Sequence, residues 1–451
     1  MKAGEKGKHI REVMNGLVRW LRLSLHGVKN RLTGKWLPRA QSDRLSKPAR
    51  PPLLRETAVK PLRTAWAALE YEYDQMQDEH EAREESKGHG IQPPDQGAAE
   101  RSDMERDLIE RIKRDTAAAN RNNVTRTEAY REMYFRRPEL HWALLAHLVS
   151  RNGGYNMTDL RGELLPRLLE EQQASSTFQM LERINSLIFA DAYPQLLLYE
   201  AGRKTGRELT HLLSSFQISR FMVPVWSHFW QRQDSAVLTT ALIVNEQHYI
   251  EGRIVQDSYY RDRVLETLAF MMQAPLQTNA VFMPYGAPQA GEMRLAGLIL
   301  EHFDDLVERI EFGKRLYAVL FGVDAVREGV LAFVRCVQHS GSRSDYAPHL
   351  FTVAKPVHSS KRYKQKLDGC RIMRGRTPIY SPTLVDAWPD QPVEASRSNQ
   401  DWFTTSAAVE RYFQRLPLPE EFEVTEAYCR SLNELELAVQ AAERLGLSEK
   451  P

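Results

Sequence analysis

From Ser102 onward, apolar residues return every three or four positions, and this spacing constrains the chain more than any other feature. It is the period of a helix that buries one face. Leu140, Leu144, Leu145 and Leu148 form one such stripe, and Leu238, Leu242, Ile243, Ile250 and Ile254 form another. Helix starts are marked by capping-box pairs: Ser102 with Glu105, Thr125 with Glu128, and Thr205 with Glu208. Pro138 suits the first position of a helix reaching Arg151, with Gly153 and Gly154 as its stop. Further helices are predicted near 159–173, 177–190, 194–201, 206–215, 224–232, 236–256, 258–273, 289–321 and 323–339, and again near 400–415 and 423–446. Strand-like alternation is nearly absent, and Val281-Phe282-Met283 reads as a short extended piece at most. No fixed-period repeat indicates a solenoid. The fold expected is therefore all-α, a multi-helix globular bundle over 102–340 with a flexible N-terminal arm and a loop-rich C-terminal region.

The 451 residues carry a formal net charge of only +2, so the whole chain's charge selects no partner. Its distribution says more. Residues 1–60 hold 15 Lys/Arg against 4 Asp/Glu, and residues 61–100 hold 3 against 10. Such asymmetry suggests an arm with its own interaction. Residues 1–37 read as a basic amphipathic helix with Leu17, Leu21 and Leu25 on its apolar stripe and Trp20 as an interfacial anchor. Residues 38–101 read as linker and acidic helix, poorly packed on the body. Residues 341–397 form a basic, loop-rich segment and 398–451 return to helix. Cys336, Cys370 and Cys429 are far apart and contain no CxxC pair. Neither a disulfide framework nor a Cys-rich zinc site is expected, which fits a reducing compartment. No run of about 18 uncharged apolar residues is present to cross a bilayer. The location expected is cytoplasmic, with the inner face of the membrane within reach of the arm.

One passage is unusually specific: Thr125-Arg-Thr-Glu-Ala-Tyr130, then Arg137-Pro-Glu-Leu-His-Trp-Ala-Leu-Leu-Ala-His-Leu-Val-Ser-Arg-Asn-Gly-Gly-Tyr-Asn-Met-Thr-Asp-Leu160. With Asn245-Glu-Gln-His-Tyr-Ile-Glu-Gly-Arg253, it resembles the bacterial family known as domain of unknown function 2515, found in Bacillus-like organisms. The resemblance covers about 115–385. It implies a bacterial cytosolic setting and carries no established activity.

The same residues supply the candidate site. His147 and Arg151 are four apart and share a helix face. His141 and His147 stand about 120° apart around the helix, too far to chelate one metal together. Both suit packed core histidines, hydrogen-bonded as buried polar groups are. Arg151, Asn152, Asn156 and Asp159 could converge on a ligand at a Gly-permitted turn, or simply cap helices. On the second helix, Asn245, Glu246, His248, Glu251 and Arg253 interrupt apolar residues. A buried carboxylate there needs a partner, and a structural network competes with a ligand pocket. The His-x-x-Glu order reverses the di-iron signature and has no second copy. No metal and no cofactor are expected.

Beyond these, Arg343 and His349 sit among small residues that could hold an anion, or form a capped turn into a loop. Lys355, Lys361, Arg362, Lys364, Lys366, Arg371, Arg374 and Arg376 make a basic run opposed only by Asp368, with Tyr363 interleaved. Nucleic acid or anionic lipid could bind it, or water alone. No nucleophile elbow, zincin pair or dinucleotide glycine motif appears. Three functions compete. The first is a non-enzymatic protein, peripheral to the membrane or bound to a protein partner, that uses residues 1–37 on an anionic surface. The second is an enzyme whose His/Arg/Asp/Glu pocket takes an anionic small molecule. The third is a nucleic-acid-associated protein.

Overall fold

The computed structural model describes residues 51–86, 102–265, 280–286, 293–356, 362–393 and 400–446. The helix expected over 1–37, with Leu17, Trp20, Leu21 and Leu25, lies outside them. So do Lys361, the linker 88–100 and the end of the helix expected over 258–273.

The described chain is mostly helical. Its main helices are α1 (Glu56–Ser86), α2 (Asp103–Ala119), α3 (Asn123–Arg136), α4 (His141–Asp159), α5 (Glu171–Thr205), α6 (Met222–Arg232), α7 (Ser235–Ile250), α8 (Leu306–Gly322), α9 (Asp324–Cys336) and α10 (Thr425–Arg444). Helix α4 is the hub, packed by α3, α5, α7 and α8. It is buried on several faces rather than along one stripe, from Trp142 to Thr158. Helix α7 is alike: every residue from Ala236 to Asn245 is buried. Polar side chains on both helices are thus inside the protein and must find partners there.

Several local expectations hold and others shift for identifiable reasons. Ser102 and Glu105 form the expected capping box at α2. At α3 the cap is Asn122, whose Oδ1 accepts from Thr125 N at 3.0 Å. Asn122 is the stronger cap, so the helix begins a turn before the expected Thr125 pair. Thr205 ends α5 instead of starting a helix, and Gly206 follows at φ 70°, the left-handed stop. Pro194 does not split α5 as a proline would in isolation. It is buried inside a continuous helix, and Gln195 Nε2 donates to the Asp191 carbonyl at 3.1 Å.

An all-α body is corrected by an antiparallel hairpin, β1 (Ala280–Pro284) with β2 (Leu295–Ile299). All five residues of β1 are buried, so both faces are apolar and no alternation betrays the strand. Of the two helices expected across 289–321, strand β2 takes the place of the first, and the second begins at Leu306. Asn152 of α4 serves the open edge of β1: its Nδ2 donates to Phe282 O at 2.8 Å and its Oδ1 accepts from Phe282 N at 2.9 Å. On the other side, Gly297 N donates to Phe422 O at 2.8 Å.

The expected looseness before residue 100 does not extend to the first half of α1. Trp66 is fully buried, stacks on Phe221 at 5.0 Å and donates to its carbonyl at 3.1 Å. The basic, loop-rich segment expected after 340 packs onto α4 as well. Thr158 Oγ1 donates to Gly341 O at 2.6 Å, and Trp388 Nε1 donates to Met157 O at 2.8 Å. Short pairs β3 (Phe351–Thr352) with β6 (Ile379–Tyr380), and β4 (Leu367–Asp368) with β5 (Arg371–Ile372), brace it. Cys370 and Cys429 are joined in a disulfide, contrary to the expectation from their spacing. They are 59 residues apart in sequence, and only the packing of β4–β5 beside α10 brings them together.

Candidate functional site

The polar residues of α4 do not end a helix at Gly153 and Gly154; the helix runs through both to Asp159. Close packing explains the glycines. A Cβ on Gly154 would lie 2.4 Å from Asn123 Oδ1 and 2.6 Å from His339 Nε2, and one on Gly153 would lie 3.2 Å from Asn185 Nδ2. The absent side chains let His339 and Asn123 meet directly, Nε2 to Oδ1 at 2.8 Å.

Around that contact lies a buried network. Arg151 donates through Nε to Tyr155 Oη at 3.1 Å, through Nη1 to Val337 O at 2.9 Å, and through Nη2 to Gln338 O at 3.1 Å and Asp345 Oδ2 at 3.3 Å. Its guanidinium also lies 4.6 Å from the centre of the Phe333 ring. Asp345 accepts from Ser340 N at 3.0 Å and Ser340 Oγ at 2.5 Å. Burial pushes its carboxyl up, but the neighbouring His339 and Arg151 outweigh that and hold it below its ordinary range. His147 is fully buried and its Nδ1 faces Thr127 O at 2.9 Å. A carbonyl can only accept, so Nδ1 carries the proton and Nε2 is bare. Burial, with Arg151 close by, holds that imidazole neutral far below its usual range.

One turn on, Arg343 meets Asp159. Its Nε lies 2.8 Å from Asp159 Oδ2 and its Nη2 lies 2.6 Å from the same oxygen. Nη2 also donates to Asn156 Oδ1 at 3.3 Å, and Nη1 donates to Tyr346 Oη at 2.6 Å and Tyr428 Oη at 3.4 Å. All three guanidinium nitrogens hydrogen-bond inside the protein, and Asp159 supplies the counter-charge. Arg343 is therefore no free anion site, and His349, expected beside it, is exposed while Arg343 is buried. A cleft lined by Asp159, Leu165, Arg343, Ile379, Tyr428 and Leu432 adjoins the pair. It holds about 40 Å³ of water-accessible space, enough for a few waters and too little for a metabolite.

The α7 residues form a separate group. Asn245 Nδ2 donates to Asp191 Oδ2 at 2.5 Å, and Asn245 Oδ1 accepts from Trp402 Nε1 at 3.0 Å. Gln195 Nε2 donates to the same Asp191 oxygen at 3.0 Å, while Asp191 Oδ1 is buried with no hydrogen-bond partner. Burial raises Asp191 to about 7 and Glu246 to about 8, and each carboxyl is felt by its neighbours, Glu246 by Asp191 itself. His248 stacks on Trp402 at 4.3 Å and is lowered to about 4 by burial. Glu251 pairs with Arg309, and Arg253 donates to Tyr249 O at 3.1 Å and lies over the Tyr249 ring. His141 sits apart from both groups, its Nδ1 at 3.0 Å from Tyr317 Oη and its ring stacked on Phe321. Thus His147 faces Thr127 of α3 and Arg151 faces the 337–345 segment, while Glu246 hydrogen-bonds Gln247 and Trp142 and Arg253 hydrogen-bonds Tyr249; the four take different partners. Among the described residues, no group of three His, Cys, Asp or Glu is placed to hold a metal ion.

Residues 118–434 match the family described as Protein of unknown function (DUF2515). The chain belongs to this family. It is 34% identical over 330 residues to the Uncharacterized protein YppC of Bacillus subtilis (strain 168), an alignment covering 73% of this chain and 93% of that protein. No solved structure matches it. The family segment extends beyond the expected end near 385, and so takes in Tyr428 as well as Asp345 and Arg343. Sequence reasoning missed Asp191, Asn123 and Tyr428. Asp191 had a signal: it is the one charged residue between Arg183 and Glu200 in an otherwise apolar helix.

Proposed function

We propose that the chain is a non-enzymatic interaction protein, peripheral to the membrane, whose helical body is a rigid scaffold and whose residues 1–37 bind an anionic bilayer surface. The observation carrying this reading is the internal engagement of Arg343, all three of whose guanidinium nitrogens donate to acceptors inside the protein. Arg151 and Arg343 are engaged in holding the fold, which leaves the basic amphipathic stripe of residues 1–37 as the feature with an unforced functional use. An apolar stripe supplies burial, and each basic residue near a charged surface adds about 1 kcal/mol of attraction. Among the described residues no helix is long and apolar enough to cross a membrane. The protein should sediment with phosphatidylglycerol vesicles in a salt-sensitive way, and Leu17→Asp with Leu21→Asp should sharply weaken this. Undiminished binding by that variant would refute the role of the stripe.

The enzyme reading retains one favourable observation: Asp191 and Glu246 are raised to about 7 and about 8, and Glu246 feels the charge of Asp191, the kind of perturbed carboxyl pair from which acid–base sites are built.

A further inference from the structure

The strongest unused feature is the hairpin Lys364–Arg376. Lys364, Arg371, Arg374 and Arg376 are exposed, and among the described residues none of them has an ion pair. Asp368 is the single acid among them. Lys366 leaves the set: it is buried and its Nζ lies 2.6 Å from Glu163. Met373 stands among the arginines with 40% of its surface in water.

The mounting is rigid. Glu436 of α10 is fully buried and accepts from Tyr363 Oη at 2.6 Å, Lys366 N at 2.8 Å and Leu367 N at 3.1 Å. Strands β4 and β5 pair Leu367 with Ile372 and Asp368 with Arg371, and the Cys370–Cys429 disulfide ties the turn to α10. A second turn follows, closed by Arg376 N to Met373 O at 3.0 Å and made possible by Gly375 at φ 76°. It presents Met373, Arg374 and Arg376 within four residues. Cations held in place before contact lose little conformational freedom on binding.

We propose that this hairpin is the body's own docking surface for an anionic phospholipid bilayer, with the arginines meeting lipid phosphates and Met373 entering the interfacial layer. The inference rests on the membrane reading above and adds a second, independent contact. Arginine's planar fork suits phosphate, and an apolar side chain between cations suits the boundary of headgroup and acyl chain. A single-stranded nucleic acid would call for exposed aromatic platforms, whereas Tyr363, the aromatic residue in the run, is buried against Glu436.

The test uses the full chain and vesicles of equal parts phosphatidylglycerol and phosphatidylcholine. The variant Arg371→Gln/Arg374→Glu/Arg376→Glu should bind about tenfold to hundredfold more weakly than the parent at low salt, with an unchanged melting temperature because the residues are exposed and no like charge is set opposite Asp368. Met373→Ser, which leaves charge intact, should weaken binding by a smaller factor. Leu17→Asp/Leu21→Asp reports on the arm separately. If that variant sediments like the parent and the triple variant does not, the arm reading fails and the hairpin stands. If the triple variant binds vesicles like the parent, the hairpin proposal is overturned whatever the arm does. It is overturned equally if the triple substitution spares vesicle binding and instead removes binding to a labelled oligonucleotide.

Discussion

Asp345→Ala is expected to destabilise the protein by about 3–5 kcal/mol, the usual cost of stranding one member of a buried charge pair. The Arg151 side chain is 1% exposed and that of Asp345 is 7% exposed, so water cannot replace the lost carboxylate. Ser340 N and Oγ would lose their acceptor in the same step. Arg151 would keep two backbone carbonyls but no counter-charge. Asp345→Asn retains an oxygen for Ser340 and should lose less. Urea unfolding at neutral pH measures both, and a loss under about 1 kcal/mol for the alanine variant would show that the pair does not hold α4 to the 337–345 segment.

The second large effect concerns Asp191 and Glu246, at about 7 and about 8 in the folded chain because of burial. Unfolded carboxyls titrate near 4, so between that pH and the folded values the native state binds protons that the unfolded state has released. Stability from these groups is therefore full below about pH 4 and falls as pH rises. Each carboxyl costs about 1.4 kcal/mol per pH unit until its folded value is passed. Asp191→Asn mimics the protonated acid and keeps an acceptor for Asn245 and Gln195. Relative to the parent it should be near parity at about pH 3.5 and more stable by about 4 kcal/mol at pH 9. An equal deficit at both pH values in urea unfolding would mean that Asp191 is charged in the native state.

Much of the helical body was legible because a helix with a single buried face writes its period into the sequence. The pattern failed where burial was complete. Strand β1 is buried throughout, so it lacked alternation, and α4 passes through two glycines that looked like a stop. Those glycines serve tertiary contact with Asn123 and His339, which no local rule reveals. His147 and Arg151 were visible as polar residues on a helix with an apolar stripe, and Asp159 as a polar residue on the turn expected after it. Their partners were not. Asp345 lies 194 residues from Arg151 and Arg343 lies 184 from Asp159, in a stretch without periodicity. The disulfide was hidden for the same reason, since spacing along the chain says nothing about α10 packing beside β4 and β5. Tyr363, read as interleaved with the basic run, is instead the buried anchor of that hairpin.

The claim that the polar family block holds the fold is tested most directly by a double-mutant cycle on Arg343 and Asp159. Arg343→Met and Asp159→Leu are each expected to lose about 3–5 kcal/mol, because each leaves the other charge buried without its partner. The double variant replaces a buried ion pair with apolar side chains and should recover part of that loss, giving a coupling of about 2 kcal/mol or more in urea unfolding. Strictly additive losses would contradict a structural pair and return both residues to consideration as ligand contacts.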